Sequence, residues 1–422
     1  MPVAAPGEGA QSVPESVVPA WRGGFGRLWT AAVVSRFGDA LRGAALPLLA
    51  YGLTDSPLLI SLVTAAGLAP WLLFGLLGGA VADRVDQRRA MWAVDTVRAL
   101  LMAAFAVLVA TGHASIALLI VLAFALTALQ TLFDNAATAL LPSVVPRAAL
   151  GRANARLMTG QEAAHRFVGA PLVPVLLGLG LAAPYAVDAA SYLLAAALVA
   201  SVRTAAPERD PRPPGATLRR DIAEGLRALW RHPVLRSLCL STAVCNIAIG
   251  ALIGTLVLLV KGRLGAGDTG YALVITVYGV GTVVGGLLAS RITDRLGRTR
   301  VLLAGGLVQT GCLLALGTLP GLPAAAVALG IFGFVGMVWN VTEVTMMQQS
   351  TPPELLGRVG AAFRTASVAG APAGAVLGGA VAGAWGLNTP MLLAAGLFLA
   401  GVAALIPALG REDSRGTPRT RA

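Results

Sequence analysis

The sequence predicts an all-α polytopic membrane protein whose 12 transmembrane helices form two six-helix bundles related by a parallel pseudo-repeat. Three observations predict this fold class: an apolar composition, twelve apolar runs of membrane-spanning length, and phrases shared by the two halves. Of the 422 residues, 56% are apolar and 12% are charged, and the mean hydropathy is +0.76. A soluble domain is about 25% charged, so this composition excludes a soluble enzyme and a disordered chain.

The twelve apolar runs are each long enough to cross a bilayer, whose hydrocarbon core of about 30 Å needs about 20 helical residues. Lipid offers no hydrogen-bond partner to a free backbone group, so each run is expected to be helical. The predicted spans cover residues 28–53, 57–81, 90–111, 115–140, 157–180, 184–202, 234–260, 269–290, 299–319, 323–347, 359–384 and 389–408.

Charged residues outside these runs lie mostly on one side of the predicted membrane. Basic residues follow the even-numbered spans and occupy both tails, whereas the short odd-numbered loops contain only Lys261 and Arg263. Of the 32 Lys and Arg residues, 25 lie in the tails and in the loops that follow even-numbered spans. Because cytoplasmic loops carry the excess of bases, both termini are predicted to be cytoplasmic. The net charge of +12 therefore indicates orientation in a membrane, and nucleic acid is not an expected partner.

The longest loop divides the chain near its middle. In it, the phrase ERDPRPPG is a flexible linker, and the following TLRRDIAEGLRALWRHP has the spacing of an amphipathic helix on the inner membrane surface. The predicted organisation is a disordered cytoplasmic tail (1–24), an N-terminal six-helix bundle (25–203), this linker (204–233), a C-terminal six-helix bundle (234–408) and a basic cytoplasmic tail (409–422).

The two halves share three phrases in the same order. The pairs are GAVADR at 79–84 with SRITDR at 290–295, PRAALGR at 146–152 with PPELLGR at 352–358, and GAP at 169–171 with GAP at 370–372. Six spans followed by six spans in a parallel repeat are typical of secondary transporters, which bind substrate between the halves near mid-membrane.

The helical region, from about 25 to 408, resembles the major facilitator superfamily, since the Gly-x3-Asp-Arg phrase at 79–84 is similar to its loop motif. Finer details resemble its bacterial branch of enterobactin exporters and macrolide efflux proteins. These details are GDALRGAALPLLAYGLT at 38–54, ADRVDQRR at 82–89, YAVDAASYL at 185–193 and DIAEGLRALWRHPVLRSL at 221–238. Two departures are Asp86, where the general motif has Gly, and the Gly169-Ala170-Pro171 phrase, where the antiporter signature has Gly-Pro.

The resemblance also implies residues that gate transport. In the family, the motif acid contacts a helix N-terminus of the other half and closes the inner side, which implies this role for Asp83 and its repeat Asp294. The alternative is a simple inside-positive loop. The implied gating residues are Gly79, Asp83, Arg84, Arg88, Asp294 and Arg295, and the expected helix-bending residues are Gly169, Pro171, Gly370 and Pro372.

Ionisable groups inside a membrane are costly, and they are functional candidates by default. The acids in the predicted spans are Asp39, Asp95, Asp134, Glu162, Asp188 and Glu343. Helical spacing places Arg36 and Arg42 beside Asp39, Arg98 beside Asp95, and Arg166 beside Glu162. The other three acids have no base within four residues, and an unpaired carboxylate in lipid accepts a proton more readily.

Proton coupling is expected at Asp39, which lies about 17 Å into its span, or at the isolated Asp134. Asp188, near the outer end of span 6, suits an outer gate or a helix-terminal acid. His165 shares a helix face with Glu162 and is either a proton relay or a hydrogen-bonded neighbour. Further candidates are Glu343 and Asn340, which aligns with Asp134 in the repeat, and the arginines Arg36, Arg42 and Arg166, which either hold an anionic substrate or pair with the acids.

These features predict a secondary active exporter of a small amphiphilic molecule, such as a drug, natural product or siderophore. The sequence has no GxxxxGK[ST] phosphate loop and no metal or catalytic motif, so no cofactor is expected and exchange for protons is the expected energy source. We expect a monomer in the bacterial cytoplasmic membrane, in contact with lipid. The alternatives are nutrient or metabolite uptake by the same fold, and a membrane sensor or assembly partner that transports nothing.

Overall fold

The computed structural model describes residues 23–74, 86–146, 149–202, 218–352 and 355–406. Within these ranges the chain forms helices joined by short loops, with no strand. The all-α fold class predicted from the sequence is therefore confirmed.

In the first half, the described helices account for six predicted spans. They are α1 (Gly24–Leu53), α2 (Pro57–Phe74), α3 (Gln87–Ala110), α4 (Ile116–Val144), α5 (Leu150–Ala163), a π-helical stretch (Ala164–Gly169), α6 (Ala170–Leu179) and α7 (Ala183–Ala200). Because α5, the π-helical stretch and α6 are continuous, they together make up span 5.

The second half begins with the linker helix and repeats the pattern. Its elements are α8 (Leu218–Arg231), α9 (Pro233–Val257), a second π-helical stretch (Leu258–Arg263), α10 (Asp268–Leu296), α11 (Arg298–Thr318), α12 (Leu322–Gln349), α13 (Leu356–Val368), α14 (Gly370–Trp385) and α15 (Thr389–Ala403). Only Ala369 separates α13 from α14, and the two helices form span 11.

Every predicted span contains helix in the described residues. Eight of the helical segments found there are long and apolar enough to cross a membrane, and α2 and α15 contain shorter apolar stretches. The end of predicted span 2, from residue 75 onward, lies outside the described residues.

The packing of the helices shows the parallel pseudo-repeat. In the first half, span 1 contacts spans 5 and 6, span 2 contacts span 4, and span 3 contacts spans 4 and 6. In the second half, span 7 contacts spans 11 and 12, span 8 contacts span 10, and span 9 contacts spans 10 and 12. Each of these pairings in the first half therefore has its counterpart six spans later.

The predicted bending positions coincide with irregularities in the helices. Pro171 has no backbone N–H to donate, and the π-helical stretch Ala164–Gly169 lies directly before it. At the matching place in span 11, the helix is interrupted at Ala369, just before Gly370 and Pro372. A role for these irregularities in transport stays a prediction.

The two halves meet along α2, which packs against α9 and α14, and along span 5, which packs against α10. The Ser61 hydroxyl of α2 donates a hydrogen bond of 2.9 Å to the carbonyl of Gly254 in α9. The Lys261 ammonium lies 5.2 Å from the ring centroid of Tyr51 in α1, a cation–π distance. In the predicted topology, both contacts lie toward the outer side.

The predicted amphipathic linker helix is present as α8 and packs against α13. Arg358 donates to Glu224 at 2.9 Å, Leu229 is fully buried, and the backbone of Gly225 lies against the carbonyl of Arg358. The helix is therefore attached to the second half, and its place on the membrane surface stays a prediction.

Candidate functional site

The candidate site is a cluster of buried charged side chains among α1, α3, α4 and α7, and Arg98 is its centre. The Arg98 side chain is fully buried and lies over the ring of Tyr192, 4.0 Å from its centroid. Its guanidinium donates to Asp39, to Asp95 at 3.0 Å, to the Ser35 hydroxyl at 3.1 Å and to the Tyr192 hydroxyl at 2.8 Å. One α3 side chain thus links α1 to α7.

Asp39 of α1 is the shared acceptor of this cluster. It is 6% exposed and accepts hydrogen bonds from Arg98, from Arg42 at 3.1 Å and from the Tyr192 hydroxyl at 2.7 Å. Arg36 forms a further ion pair with it at 3.8 Å. The pairing of Asp39 with both of its sequence neighbours is as predicted, whereas the bonds to Arg98 and Tyr192 are not visible in the sequence.

The edge of the cluster reaches α4 through two arginines. Arg36 lies 3.8 Å from Asp134, and Arg42 donates to Gln130 at 3.5 Å. Asp134 is isolated in the sequence but not in the fold, because its basic partner lies on another helix.

Asp188 differs from the other acids of the cluster. It lies in the second turn of α7 and is fully buried, so it is not a helix-terminal acid. Neither of its carboxylate oxygens has a hydrogen-bond partner among the described residues. The backbone of Gly38 packs so closely on it that a β-carbon at Gly38 would overlap the side chains of Asp188 and Ser191.

The cluster contains more negative than positive groups. Its charged side chains are the carboxylates of Asp39, Asp95, Asp134 and Asp188 and the guanidiniums of Arg36, Arg42 and Arg98. With all groups ionised there is one carboxylate more than there are arginines. A net charge inside a membrane is costly, and one bound proton neutralises it.

Span 5 carries a second charged pair close to the other half. Arg166 donates to Glu162 at 2.6 Å, as the helical spacing predicts. Its guanidinium lies 5.9 Å from the ring centroid of Tyr278 in α10, and its β-carbon packs on Gly279. The Nδ1 atom of His165 is buried without a hydrogen-bond partner, so it is not held by the acid nearby.

The second half contains one buried acid in its described part. Glu343 of α12 is 2% exposed and accepts a hydrogen bond from the Thr242 hydroxyl of α9. None of the described Lys or Arg side chains forms an ion pair with it. Asn340, the repeat counterpart of Asp134, is exposed.

The predicted gating residues are described only in part. Gly79, Asp83 and Arg84 lie outside the described residues. Arg88, in the first turn of α3, donates to the carbonyl of Ala200 at the end of α7, where a cation stabilises the helix terminus. Asp294 and Arg295 are exposed at the end of α10. Their gating roles stay predictions.

The fold and the buried charges define a class of protein: a polytopic membrane transporter built from two six-helix halves. A family profile described as transmembrane secretion effector matches residues 15–418. The chain belongs to this family of the major facilitator superfamily and is a transporter, not an enzyme.

Curated relatives match nearly the whole chain. The multidrug efflux pump Tap of Mycolicibacterium fortuitum is 28% identical over 92% of this chain and 97% of its own length. The enterobactin exporter EntS of Shigella boydii is 24% identical over 93% of this chain and 94% of its own length.

Solved structures share the fold at low sequence identity. The nucleoside transporter NupG matches with a TM-score of 0.76 at 11% identity, covering 90% of this chain and 99% of that chain. A bacterial homolog of the human lysosomal transporter Spinster, in an inward-facing and occupied conformation, matches with a TM-score of 0.72 at 14% identity, covering 91% of this chain and 96% of that chain.

Proposed function

We propose that this chain exports small amphiphilic molecules across the bacterial cytoplasmic membrane in exchange for protons. The observation that carries the proposal is the surplus carboxylate of the buried cluster, since a group that gains and loses a proton inside the membrane is what coupling to a proton gradient requires. Export is favoured by the relatives, which are named as an efflux pump and an exporter. Drugs and siderophores such as enterobactin are therefore the substrates to test.

The proposal includes alternating access between the halves. Binding of substrate or proton shifts the population between two arrangements only if it favours one of them. The contacts along α2, such as that of Ser61 with Gly254, support a state closed toward the predicted outer side. The motif acid Asp83 is proposed to close the inner side, and both termini are proposed to be cytoplasmic.

Inside-out membrane vesicles test the direction and the energy source. Vesicles containing the chain should accumulate compounds from a panel of amphiphilic drugs and enterobactin when a proton gradient is imposed, and a protonophore should abolish this accumulation. The Asp39→Asn variant, which lacks the shared ionised acceptor of Arg98 and Arg42, is the inactive control. Accumulation in right-side-out vesicles instead would indicate uptake, and accumulation that resists the protonophore would exclude proton exchange.

A further inference from the structure

We propose that Asp188 is the carboxylate that binds and releases the exchanged proton. This inference rests on the proposed proton exchange. It assigns the exchanged proton to Asp188, for which the sequence predicts an outer gate or a helix-terminal acid. Asp188 is fully buried, and the charge balance of its cluster is restored when one carboxylate is protonated.

The other two acids at the centre of the cluster are held by arginine. Asp39 accepts from two guanidiniums and one hydroxyl, and Asp95 accepts from Arg98 at 3.0 Å. Bonds of this kind stabilise the ionised carboxylate. Asp134 is paired with Arg36 at 3.8 Å and is partly exposed. Asp188 alone among the four has neither an ion pair nor a hydrogen bond within the described residues.

In the described arrangement each hydroxyl group around Asp188 donates its single proton to another acceptor. The Ser191 hydroxyl donates to the backbone carbonyl of Asp188 itself at 2.7 Å. The Tyr192 hydroxyl donates to Asp39 at 2.7 Å, and the Tyr185 hydroxyl donates to the carbonyl of Ala45 at 3.1 Å.

Protonation lowers the cost of burying Asp188. A neutral carboxyl is less costly to bury without a full set of hydrogen bonds than an ionised one. The buried oxygens then carry no charge. Protonation thus restores the charge balance of the cluster at the acid that has no counter-ion of its own.

Release of the proton leaves one carboxylate more than there are arginines, so it needs an arrangement in which Asp188 is solvated. The charged groups that act on Asp188 are Arg42 and Asp39 from α1 and Arg98 from α3. Both arginines already pair with Asp39. In the release step the Asp188 O–H bond breaks, the proton passes to water, and the entering water solvates the carboxylate.

The close packing of α1 on α7 makes this step depend on conformation. Gly38 has no side chain to keep α1 away from Asp188, so water reaches the carboxylate only when the two helices shift apart. The proton is therefore held in the arrangement described here and released in another, as exchange for substrate requires.

Infrared spectroscopy of the purified full chain in liposomes tests the assignment with the proton as the only ligand. Between about pH 5 and about pH 9, the wild type should show the carbonyl band of a carboxylic acid that disappears as the pH rises. The Asp188→Asn variant should lose one component of this band. The matched variant Asp134→Asn, in the same cluster, should retain that component, and Glu343→Gln, which removes the unpaired buried acid among the described residues of the other half, should lose a different component.

The outcomes separate this inference from the proposed function. An Asp188→Asn spectrum that loses no component of the titrating band, or a wild type without a titrating carboxyl, overturns the assignment. A band assigned to Asp188 together with vesicle transport that ignores the proton gradient overturns proton exchange instead. If Asp188→Asn fails to fold, Asp188→Glu replaces it, and its carboxylic-acid band should shift while the bands of the other acids stay in place.

Discussion

Arg98 of α3 is the buried centre of the charged cluster, and the matching position of α11, 211 residues later, is Gln309, which is 2% exposed. Spans 6 and 12 differ in the same way. At a spacing of 206 residues, Asp188 matches the neutral Ala394, and Tyr192 matches Phe398, which has no hydroxyl. The halves are thus packed alike, but ionised groups concentrate in the first half.

The aromatic pair shows what takes the place of the charges. Tyr192 connects Arg98 to Asp39 through its hydroxyl. Phe398 has no hydroxyl and instead packs edge to face against Phe332, 5.9 Å away, and Trp339, 6.3 Å away. Such aromatic contacts stabilise a core without the cost of burying charge.

A six-helix half therefore forms without a cluster of this kind. A buried ion pair loses about as much free energy of hydration as it gains in attraction. The second half forms the same helix pairings with Glu343 as the one buried acid among its described residues. The proposed function gives the charges of the first half a role in the exchange of protons and substrate.

Replacing Arg98 with methionine should have the largest effect on stability. Asp39 and Asp95 would lose their central counter-charge, and breaking one partner out of a buried ion pair costs about 3–5 kcal/mol. Denaturant unfolding in detergent measures the loss. Gln309→Met at the matching place should cost less than about 1.5 kcal/mol, because the side-chain volume is nearly kept. Equal losses in the two variants would contradict the contrast between the halves.

Replacing Tyr192 with phenylalanine tests the bridge between α3 and α1. Hydrogen bonds to charged groups contribute about 1.5–3 kcal/mol, and this variant removes one to Arg98 and one to Asp39. The matched variant Tyr185→Phe removes one bond to a neutral carbonyl, so its expected loss is about 0.5–1.5 kcal/mol. Both losses of unfolding free energy are measured in the same denaturant assay. A smaller loss for Tyr192→Phe than for Tyr185→Phe would contradict the bridging role of Tyr192.

Gly281→Ala tests the close backbone packing of the second half. A β-carbon there would overlap the carbonyl of Gly330, so α10 and α12 would have to separate at a cost of about 1–3 kcal/mol. Gly43 in α1 has no atom near its β-carbon position, and Gly43→Ala should stabilise the helix by up to about 1 kcal/mol. Thermal unfolding shows the sign of each change, and a stabilising Gly281→Ala would exclude the close contact.

Lys261→Met tests the contact between the halves and should have the smallest effect. It removes the cation near the Tyr51 ring, a contact of about 0.5–1 kcal/mol at a partly exposed site, and also an ion pair with Asp268 within the same half. Spin labels on the outer ends of α2 and α14 should report a shift of about two- to fivefold toward separated ends. Arg263→Met, which removes a bond to the Leu316 carbonyl within one half, should leave the label distance unchanged; a change there would mean that the shift is not specific to Lys261.

Much of the fold could be predicted from the sequence because each span is set by a local property. A helix in lipid needs only about 20 apolar residues in a row, and all twelve predicted runs contain helix. The repeat was visible in short phrases such as PRAALGR and PPELLGR. Most helix ends were predicted to within about four residues. The exceptions among the described residues are the start of span 5, where α5 begins at Leu150, the end of span 8, where α10 continues to Leu296, and the end of span 12, where α15 ends at Ala403.

The sequence alone determined the twelve spans, the parallel repeat and the ion pairs within one helix turn, such as Arg36 with Asp39 and Glu162 with Arg166. It determined them because apolar length and helical periodicity are properties of consecutive residues. Only the tertiary structure decided which helix faces meet. That choice depends on the rotation and packing of whole helices, and it brought Arg98 to Asp39, paired Asp134 with Arg36 and left Asp188 buried with no bond to its carboxylate.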